Sequence, residues 1–203
     1  STLVQLLPRF YDPNAGSIQL DGVDLRELDI HTLRAAVGLV FQEAFLFSGT
    51  VAENVAYGRP GISHEEVVRC VTLAAGHEFV SALPDGYDTM VGERGVSLSG
   101  GQRQRLTIAR ALALDPRVLI FDDATASVDA VTEKQLFEGI RTAAAGRTTV
   151  VISQRVTSVR WCDRIAVLDQ GVVTAVGTHA DLLESSPLYR EIHSHQQLTG
   201  ASS

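Results

Sequence analysis

Two continuous apolar runs, separated by a helical stretch, place the strongest constraint on how this chain can fold. The runs are "RVLIF", which ends at Phe121, and "RTTVVIS", which ends at Ser153. The residues between them, 130–146, carry apolar side chains at helical spacing. Strands that are apolar on both faces and alternate with helices form parallel sheets. The sequence therefore predicts an α/β fold built on a parallel sheet, and a third run, "RIAVLDQG", adds another strand to it.

Shorter patterns predict strands at other places in the chain. "SIQLDGVDL" alternates apolar and polar residues around Asp21 and Gly22, which indicates a β-hairpin. Residues 35–42 form a short apolar run, so Gln42 is expected at the end of a buried strand. After the third long run, "GVVTAVG" is expected to form its hairpin partner, followed by a final helix.

The middle of the chain is predicted to be helical. Residues 63–83 place apolar side chains on one helical face, with Ser63 as the cap. A second helix opens at Ser99 and directs four apolar residues inward: Leu106, Ile108, Ala109 and Leu112. We therefore expect one domain over residues 1–203, with a helical subdomain at 63–114 inserted in an α/β core formed by 1–62 and 115–203.

Composition excludes several broad classes of protein. With 203 residues, 45% of them apolar, the chain can bury one sizeable core. Its formal charge of -7 repels polyphosphate backbones and no Lys/Arg-rich run offsets it, so no nucleic-acid partner is expected. Cys70 and Cys162 belong to no CxxC pair and are expected to be reduced thiols. No apolar run reaches the roughly 18 residues needed to cross a bilayer.

The apolar strand in "VLIFDD" ends in acidic residues, Asp122 and Asp123. An acid at the carboxyl end of a parallel strand lies at the edge where open α/β sheets bind their ligands. A carboxylate there can hold Mg²⁺ directly or through water. The pattern alone is weak, because an apolar run followed by Asp often only begins a loop.

The stronger signal is "VSLSGGQRQRLTIARAL". Four residues open its helix: Ser99, Gly100, Gly101 and Gln102. A hydroxyl, backbone N–H groups and the positive end of the helix converge there, with no Cβ to obstruct a ligand. A serine cap alone would explain Ser99, but two glycines at a helix start, where alanine is more favourable, indicate an anion site. Two partners are considered for Arg103 and Arg105, which follow: nearby acids and phosphate. Pairing with acids at the surface is favoured.

Three motifs together resemble the ATP-binding cassette (ABC) ATPases over essentially the whole chain: "LSGGQ", "VLIFDDATASVD" and "FQEAFLF". Two further segments, "FLFSGTVAENVAYG" (Phe45–Gly58) and "GYDTMVGERG" (Gly86–Gly95), are similar to the exporter type, in which they contact the coupling loops of the transmembrane helices. The resemblance implies a P-loop NTPase (RecA-like) fold, ATP and Mg²⁺ as cofactors, and ATP hydrolysis coupled to export.

The resemblance also implies a role for each matching residue. Gln42 senses Mg²⁺ and the γ-phosphate region, and Asp122 is the carboxylate that binds the metal. Asp129 crosses the interface of a head-to-tail dimer. The residues that contact the γ-phosphate of an ATP held by the opposite domain are Ser99, Gly100, Gly101 and Gln102.

The P-loop of the family is absent from this sequence. The chain opens at "STLVQLLPRF", which resembles the residues just after the loop's glycines and lysine, so the first strands of the family's sheet are missing too. Ser1 then corresponds to the hydroxyl that binds Mg²⁺, and Thr2 lies beside it at the nucleotide. We expect a longer polypeptide that is cut at this point, whose fragment alone binds ATP poorly and does not hydrolyse it.

Two substitutions fall on catalytic positions of the family. Asp123 stands where the family has its catalytic glutamate, and its shorter stem displaces the carboxylate by roughly 1 Å. Gln154 stands where the family has its switch histidine, and an amide can neither carry a positive charge nor shuttle a proton. The combination resembles the degenerate half of a heterodimeric exporter, whose own site hydrolyses ATP poorly.

The resemblance implies two protein partners. One is a second nucleotide-binding domain, in a heterodimer, and the other is an exporter transmembrane domain in the same polypeptide, which places the chain at the cytoplasmic face of the membrane. Two alternatives stay open: a slow homodimeric ATPase, and a non-hydrolysing regulatory dimerisation module. DNA-repair ABC proteins are disfavoured, because only about 55 residues separate Gln42 from Leu98 and they contain no heptad run.

Overall fold

The structure, a computed structural model, describes residues 2–92 and 96–200 of the chain. Its strands, in chain order, are β1 Gln19–Leu20, β2 Val23–Asp24, β3 Val37–Val40, β4 Gly49–Thr50, β5 Met90–Val91, β6 Val118–Asp122, β7 Thr148–Ile152, β8 Ile165–Asp169 and β9 Val172–Gly177. Its α-helices are α1 Thr2–Gln5, α2 Ile30–Ala36, α3 Val51–Ala56, α4 His64–Leu73, α5 His77–Ser81, α6 Gly100–Ala113, α7 Ala130–Ala144, α8 Val156–Val159, α9 His179–Ser185 and α10 Pro187–Gly200. Short 3₁₀-helices span Leu25–Glu27 and Gly86–Asp88.

The main sheet has three parallel strands in the order β3-β6-β7. Its middle strand, β6, is buried at every residue. Two of its residues, Val118 and Ile120, belong to one core cluster with Val4, Leu25, Leu33 and Val37. Helix α7 connects β6 to β7, as the predicted alternation of strand and helix requires. The prediction of an α/β fold with a parallel sheet is therefore confirmed.

Two hairpins form at the predicted positions. β1 pairs antiparallel with β2, and the residues between them, Asp21 and Gly22, have φ values of 51° and 83°. β8 pairs antiparallel with β9 across Gln170 and Gly171, whose φ values are 47° and 81°. Two successive positive φ values are typical of the type I′ turn, which joins neighbouring strands tightly. Among the described residues β8 is paired with β9, and the predicted extension of the parallel sheet by β8 stays a prediction.

Residues 63–83 form two helices rather than the single helical region that was predicted. Ser63 caps α4 as expected, because its hydroxyl accepts a hydrogen bond from the backbone N–H of Glu66. The chain turns after α4, where Ala75 adopts a left-handed conformation with a φ of 53°, and α5 begins at His77. One residue of this kind changes the direction of the chain without changing the spacing of apolar residues, so periodicity does not detect it.

Helix α4 packs against α7 at a glycine. A Cβ built on Gly139 would lie 1.8 Å from the carbonyl oxygen of Leu73, the last residue of α4. This distance is far below any van der Waals contact, so only glycine allows the two helices to approach this closely. On the neighbouring helix α6, all four residues predicted to face inward are buried: Leu106, Ile108, Ala109 and Leu112.

The chain divides into two compact units, Ser1–Ile152 and Ser153–Ser203. The first contains the parallel sheet and helices α1 to α7. The second contains the β8–β9 hairpin and has its own core cluster: Val156, Ile165, Val167, Leu182 and Tyr189. The division into an α/β core and a helical subdomain at 63–114 stays a prediction. In the described parts of the chain, no helix combines the length and the hydropathy needed to cross a bilayer.

Candidate functional site

Three polar residues predicted for the site lie at the carboxyl edge of the parallel sheet. β3 and β6 run parallel, and Val40 lies opposite Phe121. β3 ends at Val40, and β6 ends one residue after Phe121. Asp122 is the buried last residue of β6, and Asp123 follows it. Gln42 lies two residues beyond β3 and is exposed. The two strands therefore bring Gln42, Asp122 and Asp123 to the edge where such sheets bind ligands.

The backbone holds Asp123 in an uncommon conformation. Its φ is 48°, in the left-handed region that Asp tolerates better than most residues with a Cβ. Its N–H donates to the carbonyl oxygen of Ile152 at 2.8 Å, and its own carbonyl oxygen accepts from the N–H of Ala126 at 3.2 Å. These bonds fix the point at which the Asp123 side chain leaves the backbone, next to the ends of β6 and β7.

A buried hydrogen bond braces the loop of residues 123–129, which joins β6 to α7. Thr125 Oγ1 donates to Glu133 Oε1 at 2.7 Å, and both residues are buried. Asp129 caps α7 by accepting a hydrogen bond from the N–H of Thr132 at 3.0 Å. This bond to the backbone holds the pKa of Asp129 below its ordinary value, so the exposed carboxylate stays ionised at neutral pH.

Ser99 and Gln102 form a capping box at the start of α6. The N–H of Gln102 donates to Ser99 Oγ at 3.2 Å, and the N–H of Ser99 donates to Gln102 Oε1 at 2.8 Å. The first turn of α6 contains no acidic residue, so no carboxylate there offsets the positive end of the helix dipole. The predicted anion-binding residues therefore begin a 14-residue helix whose electrostatic field favours a phosphate.

Gly101 lies directly against the 123–129 loop. A Cβ built on Gly101 would lie 2.9 Å from the carbonyl oxygen of Ser127, whereas a Cβ on Gly100 would lie 3.7 Å from Ser127 Cβ. Close packing therefore requires a glycine at 101 and permits alanine at 100. The sequence predicted room for a ligand as the reason for both glycines and missed this contact, which joins the predicted anion-binding residues to the loop that carries Asp129.

Arg103 and Arg105, on α6, both donate to backbone carbonyl oxygens, which the prediction of pairing with surface acids did not include. Arg103 donates to the carbonyl oxygen of Leu98. Arg105 Nη1 donates to the carbonyl oxygen of Ala75 at 2.7 Å, and its guanidinium lies 4.6 Å from the centre of the Phe79 ring. Burial lowers the pKa of Arg105 from its ordinary value. Arg105 therefore ties the first half of α6 to the corner between α4 and α5.

Helices α3 and α6 hold the segment that follows Gln42 by side-chain hydrogen bonds. Asn54 Oδ1 accepts from the N–H of Phe47, and Asn54 Nδ2 donates to the Phe47 carbonyl oxygen, both at 2.9 Å. Arg110 Nη1 donates to the carbonyl oxygen of Phe45 at 3.0 Å, and its Nη2 donates to Asn54 Oδ1 at 2.7 Å. The segment is therefore attached to the same helix that begins at the capping box.

Three aromatic residues beside this segment form an exposed surface that we call the aromatic patch: Phe45, Phe47 and Tyr57. The rings of Phe47 and Tyr57 stack with their centres 4.2 Å apart, and Phe45 meets Phe47 edge to face at 5.1 Å. The guanidinium of Arg110 lies 5.1 Å from the Phe47 ring and supports it from the side of α6. Contiguous exposed aromatic side chains are typical of surfaces that bind another protein.

Gln154 belongs to the second unit and is exposed. Its carbonyl oxygen accepts a hydrogen bond from Gln196 Nε2 at 2.6 Å, and Gln196 Oε1 accepts one from the N–H of Val156 at 2.8 Å. Gln196, on α10, therefore braces the backbone on both sides of Arg155. The sequence did not predict this contact, because Gln196 lies 40 and 42 residues from its two partners and no local pattern marks it.

The donor groups at the sheet edge fit Mg²⁺. Asp122 supplies a carboxylate and Gln42 an amide carbonyl, and Mg²⁺ prefers oxygen ligands of this kind. The described residues contain no cluster of three or more His, Cys, Asp or Glu that could hold a metal. The set therefore suits an ion that completes its shell with water and substrate phosphates.

Of the remaining predicted residues, Thr2 begins α1 and is exposed, and Ser1 lies outside the described residues.

Known proteins with similar sequences are ABC transporters. A family model described as ABC transporter matches residues 1–126. ABC transporter B family member 19 of Arabidopsis thaliana is 46% identical over 200 residues, which cover 98% of this chain and 16% of the relative. A putative multidrug export ATP-binding/permease protein of Bacillus subtilis is 42% identical over 198 residues, which cover 98% of this chain and 34% of the relative. The chain thus spans about a third or less of the length of these relatives.

A solved structure shares the fold. It is described as a bacterial Atm1-family ABC exporter with ATP bound, and it matches with a TM-score of 0.90 and 45% identity over 96% of this chain and 34% of that chain. The P-loop NTPase fold and the exporter type that the motifs implied are both confirmed. The chain therefore belongs to the ABC transporter family, as a nucleotide-binding domain of the exporter type.

Proposed function

We propose that this domain binds ATP with Mg²⁺, pairs head to tail with a second nucleotide-binding domain, and hydrolyses ATP to drive export. The observation that carries the proposal is the common edge of β3 and β6, which presents Gln42, Asp122 and Asp123 together. Export runs through a transmembrane domain of the same polypeptide, with this domain at the cytoplasmic face of the membrane. Residues 63–114 act as the helical subdomain of the assembly.

Each group of residues has a separate task in this proposal. Asp122 and Gln42 hold Mg²⁺, which when bound offsets the charge of the phosphates and orients them. Thr2 and Ser1 contact the nucleotide of the same site. Asp129, on the loop that touches the start of α6, faces the partner domain. The residues that contact the γ-phosphate of an ATP held by the partner are Ser99, Gly100, Gly101 and Gln102.

The domain's own site hydrolyses ATP slowly in this proposal. Asp123 is one methylene shorter than the glutamate usual in the family, and its backbone bonds to Ile152 and Ala126 oppose a forward shift that would compensate. A carboxylate displaced by roughly 1 Å polarises water less well. Gln154 offers a hydrogen bond where the family has a histidine, but it carries no charge. A competent site forms instead on a different partner domain, so the pair is a heterodimer.

Restoring both catalytic residues is expected to raise hydrolysis at this site. In the full-length transporter paired with its partner, Asp123→Glu combined with Gln154→His should increase the single-turnover rate about a hundredfold, because a 1 Å misplacement costs about that much. The partner's own site is inactivated beforehand, so that only ATP bound to this domain is counted. The gain is reduced slightly because residue 123 has a φ of 48°, which Glu tolerates less well than Asp.

Asp123→Asn is the matched control for this experiment. The amide keeps the size of the side chain and removes the base, so the remaining turnover at this site should disappear. A wild-type site that already hydrolyses ATP at the partner's rate would show that the site is not degenerate. Slow hydrolysis by a transporter made of two identical copies would instead favour the homodimer over the heterodimer.

The transmembrane domain docks on the aromatic patch in this proposal. The patch lies within the segment Phe45–Gly58, which is similar to the exporter type, and its rings are exposed. Hydrogen bonds from Arg110 connect the patch to α6, and the other end of α6 carries the capping box. If ATP binding at the capping box moves α6, the helix moves as one rigid body and Arg110 moves the aromatic patch with it.

Phe45→Ala is expected to reduce transport at least about fivefold, because exposed aromatic residues supply much of the binding energy of such interfaces. Phe45 is 62% exposed, so the thermal midpoint and ATP binding should stay at wild-type values. Val131→Ala, which trims an apolar side chain that is 74% exposed on α7, is the control and should transport normally. Equal transport by both variants would argue against docking at the aromatic patch.

A further inference from the structure

Gln104 is a polar side chain on the buried face of α6. It is 2% exposed and lies among the apolar residues that α6 packs inward. Its Nε2 donates at 3.1 Å to the carbonyl oxygen of Phe41, which is 63 residues away in sequence and directly follows the last residue of β3. A side chain of α6 therefore reaches the point at which the chain leaves the sheet toward Gln42.

Burial of an amide side chain at this position requires an explanation. Burying an amide costs free energy because the group loses its hydrogen bonds to water, whereas burying a leucine or methionine carries no such cost. Only hydrogen bonds within the protein offset it. In Gln104 the donor is used on the backbone of another segment rather than on its own helix. The position therefore favours a side chain that can reach and hold Phe41, and not merely one that fills space.

The hydrogen bond acts on Gln42 through the geometry of the peptide bond. The carbonyl group of Phe41 and the N–H of Gln42 belong to one planar unit. A bond that fixes the carbonyl oxygen therefore fixes the plane, and with it the direction in which the chain enters Gln42. The Phe41 ring is itself exposed and stacks on Phe10 with the centres 6.5 Å apart, so burial of this ring does not set the plane.

We propose that Gln104 is the positioning residue for Gln42, and that it keeps Gln42 in place at the sheet edge that also carries Asp122. Because Ser99 caps the same helix, Gln104 also links the placement of Gln42 to the end of α6 that contacts the partner's ATP. The inference rests on the proposed role of Gln42 toward Mg²⁺ and the γ-phosphate. Gln104 acts through the backbone and is not itself a ligand.

The test replaces Gln104 in the full-length transporter paired with its partner. Gln104→Met keeps the length of the side chain and removes the donor. We expect the amides of residues 41–48 to exchange hydrogen faster in the nucleotide-free protein, which reports loss of the bond without any ligand. We also expect the Mg²⁺ concentration for half-maximal ATP binding to rise about fivefold, the size of one ordinary hydrogen bond.

Thr107→Val is the matched control on the same helix. Thr107 Oγ1 donates to the carbonyl oxygen of Arg103 at 3.0 Å on the exposed side of α6, so this variant also removes a bond from a side chain to the backbone. Hydrogen exchange at residues 41–48 and the Mg²⁺ dependence should both stay at wild-type values. If Gln104→Met does not fold, Gln104→Leu gives the same comparison, because leucine also removes the donor and brings no charge to the buried face of α6.

Gln42→Ala separates this inference from the function on which it rests. If Gln42→Ala leaves the Mg²⁺ dependence of ATP binding unchanged, the role proposed for Gln42 fails. If Gln42→Ala weakens that binding while Gln104→Met does not, the positioning role of Gln104 is overturned. In the double variant, Gln104→Met should add nothing to the effect of Gln42→Ala, and full additivity would overturn the inference as well.

Discussion

Gly139→Ala is expected to lower the free energy of unfolding by about 3 kcal/mol, although alanine normally favours a helix over glycine. The added Cβ would lie 1.8 Å from the carbonyl oxygen of Leu73, and a carbonyl within a helix cannot yield by rotating a side chain. Helices α4 and α7 must therefore move apart, which loosens the packing between them. The measurement is the thermal midpoint of the protein, which should fall by about 6 °C or more.

Gln135→Ala is the control for this prediction, because Gln135 is exposed and lies about one turn earlier on α7. Its effect should stay within about 0.5 kcal/mol, as for most surface substitutions. A rise in the thermal midpoint of Gly139→Ala is the outcome that ordinary helix propensity predicts. That rise would contradict the close crossing of α4 and α7.

Gly101→Ala is expected to slow hydrolysis at the partner's site about tenfold. Its Cβ would lie 2.9 Å from the carbonyl oxygen of Ser127, so either the start of α6 or the 123–129 loop has to shift. The start of α6 is proposed to contact the partner's ATP, and the loop is proposed to face the partner domain. A displacement of 1 Å costs about a hundredfold in rate, so a smaller shift of either segment costs less. The single-turnover rate at the partner's site measures the effect.

Gly100→Ala provides the comparison in stability. Both variants add one methyl group to the same helix start, but the Cβ at position 100 would make an ordinary contact of 3.7 Å with Ser127. Gly101→Ala should therefore lower the thermal midpoint, and Gly100→Ala should leave it unchanged or raise it. Equal midpoints for the two variants would show that the contact between Gly101 and Ser127 does not constrain the helix.

The features that the sequence predicted correctly depend on residues close together in the chain. The cap at Ser63 needs only the next three residues and forms as expected, and a helix opens at Ser99 as predicted. The turn at Asp21 and Gly22 requires positive φ values that these two residues tolerate. Asp122 was located at a strand end because the apolar run stops there, and β6 does end at Asp122.

The features that the sequence did not predict depend on contacts between distant segments. Gln104 shares a helical face with the buried residues Ile108 and Leu112, but nothing near it in the sequence indicates its partner, the carbonyl oxygen of Phe41. The left-handed Ala75 carries no signal in its residue type, since glycine or asparagine would be more usual there. Arg105 was expected to pair with an acid, but a carbonyl oxygen and a ring lie within its reach instead.

The hydroxyl of Ser99 accepts a hydrogen bond from the helix and keeps its own proton. It can therefore donate to an incoming phosphate while the first turn of α6 remains capped. In the proposed pairing with a second domain, this turn does not have to unwind or reorder before the two domains meet, so little conformational entropy is lost at that step. Association of the two domains then resembles the docking of rigid surfaces, and orientation on collision, rather than refolding, should limit its rate.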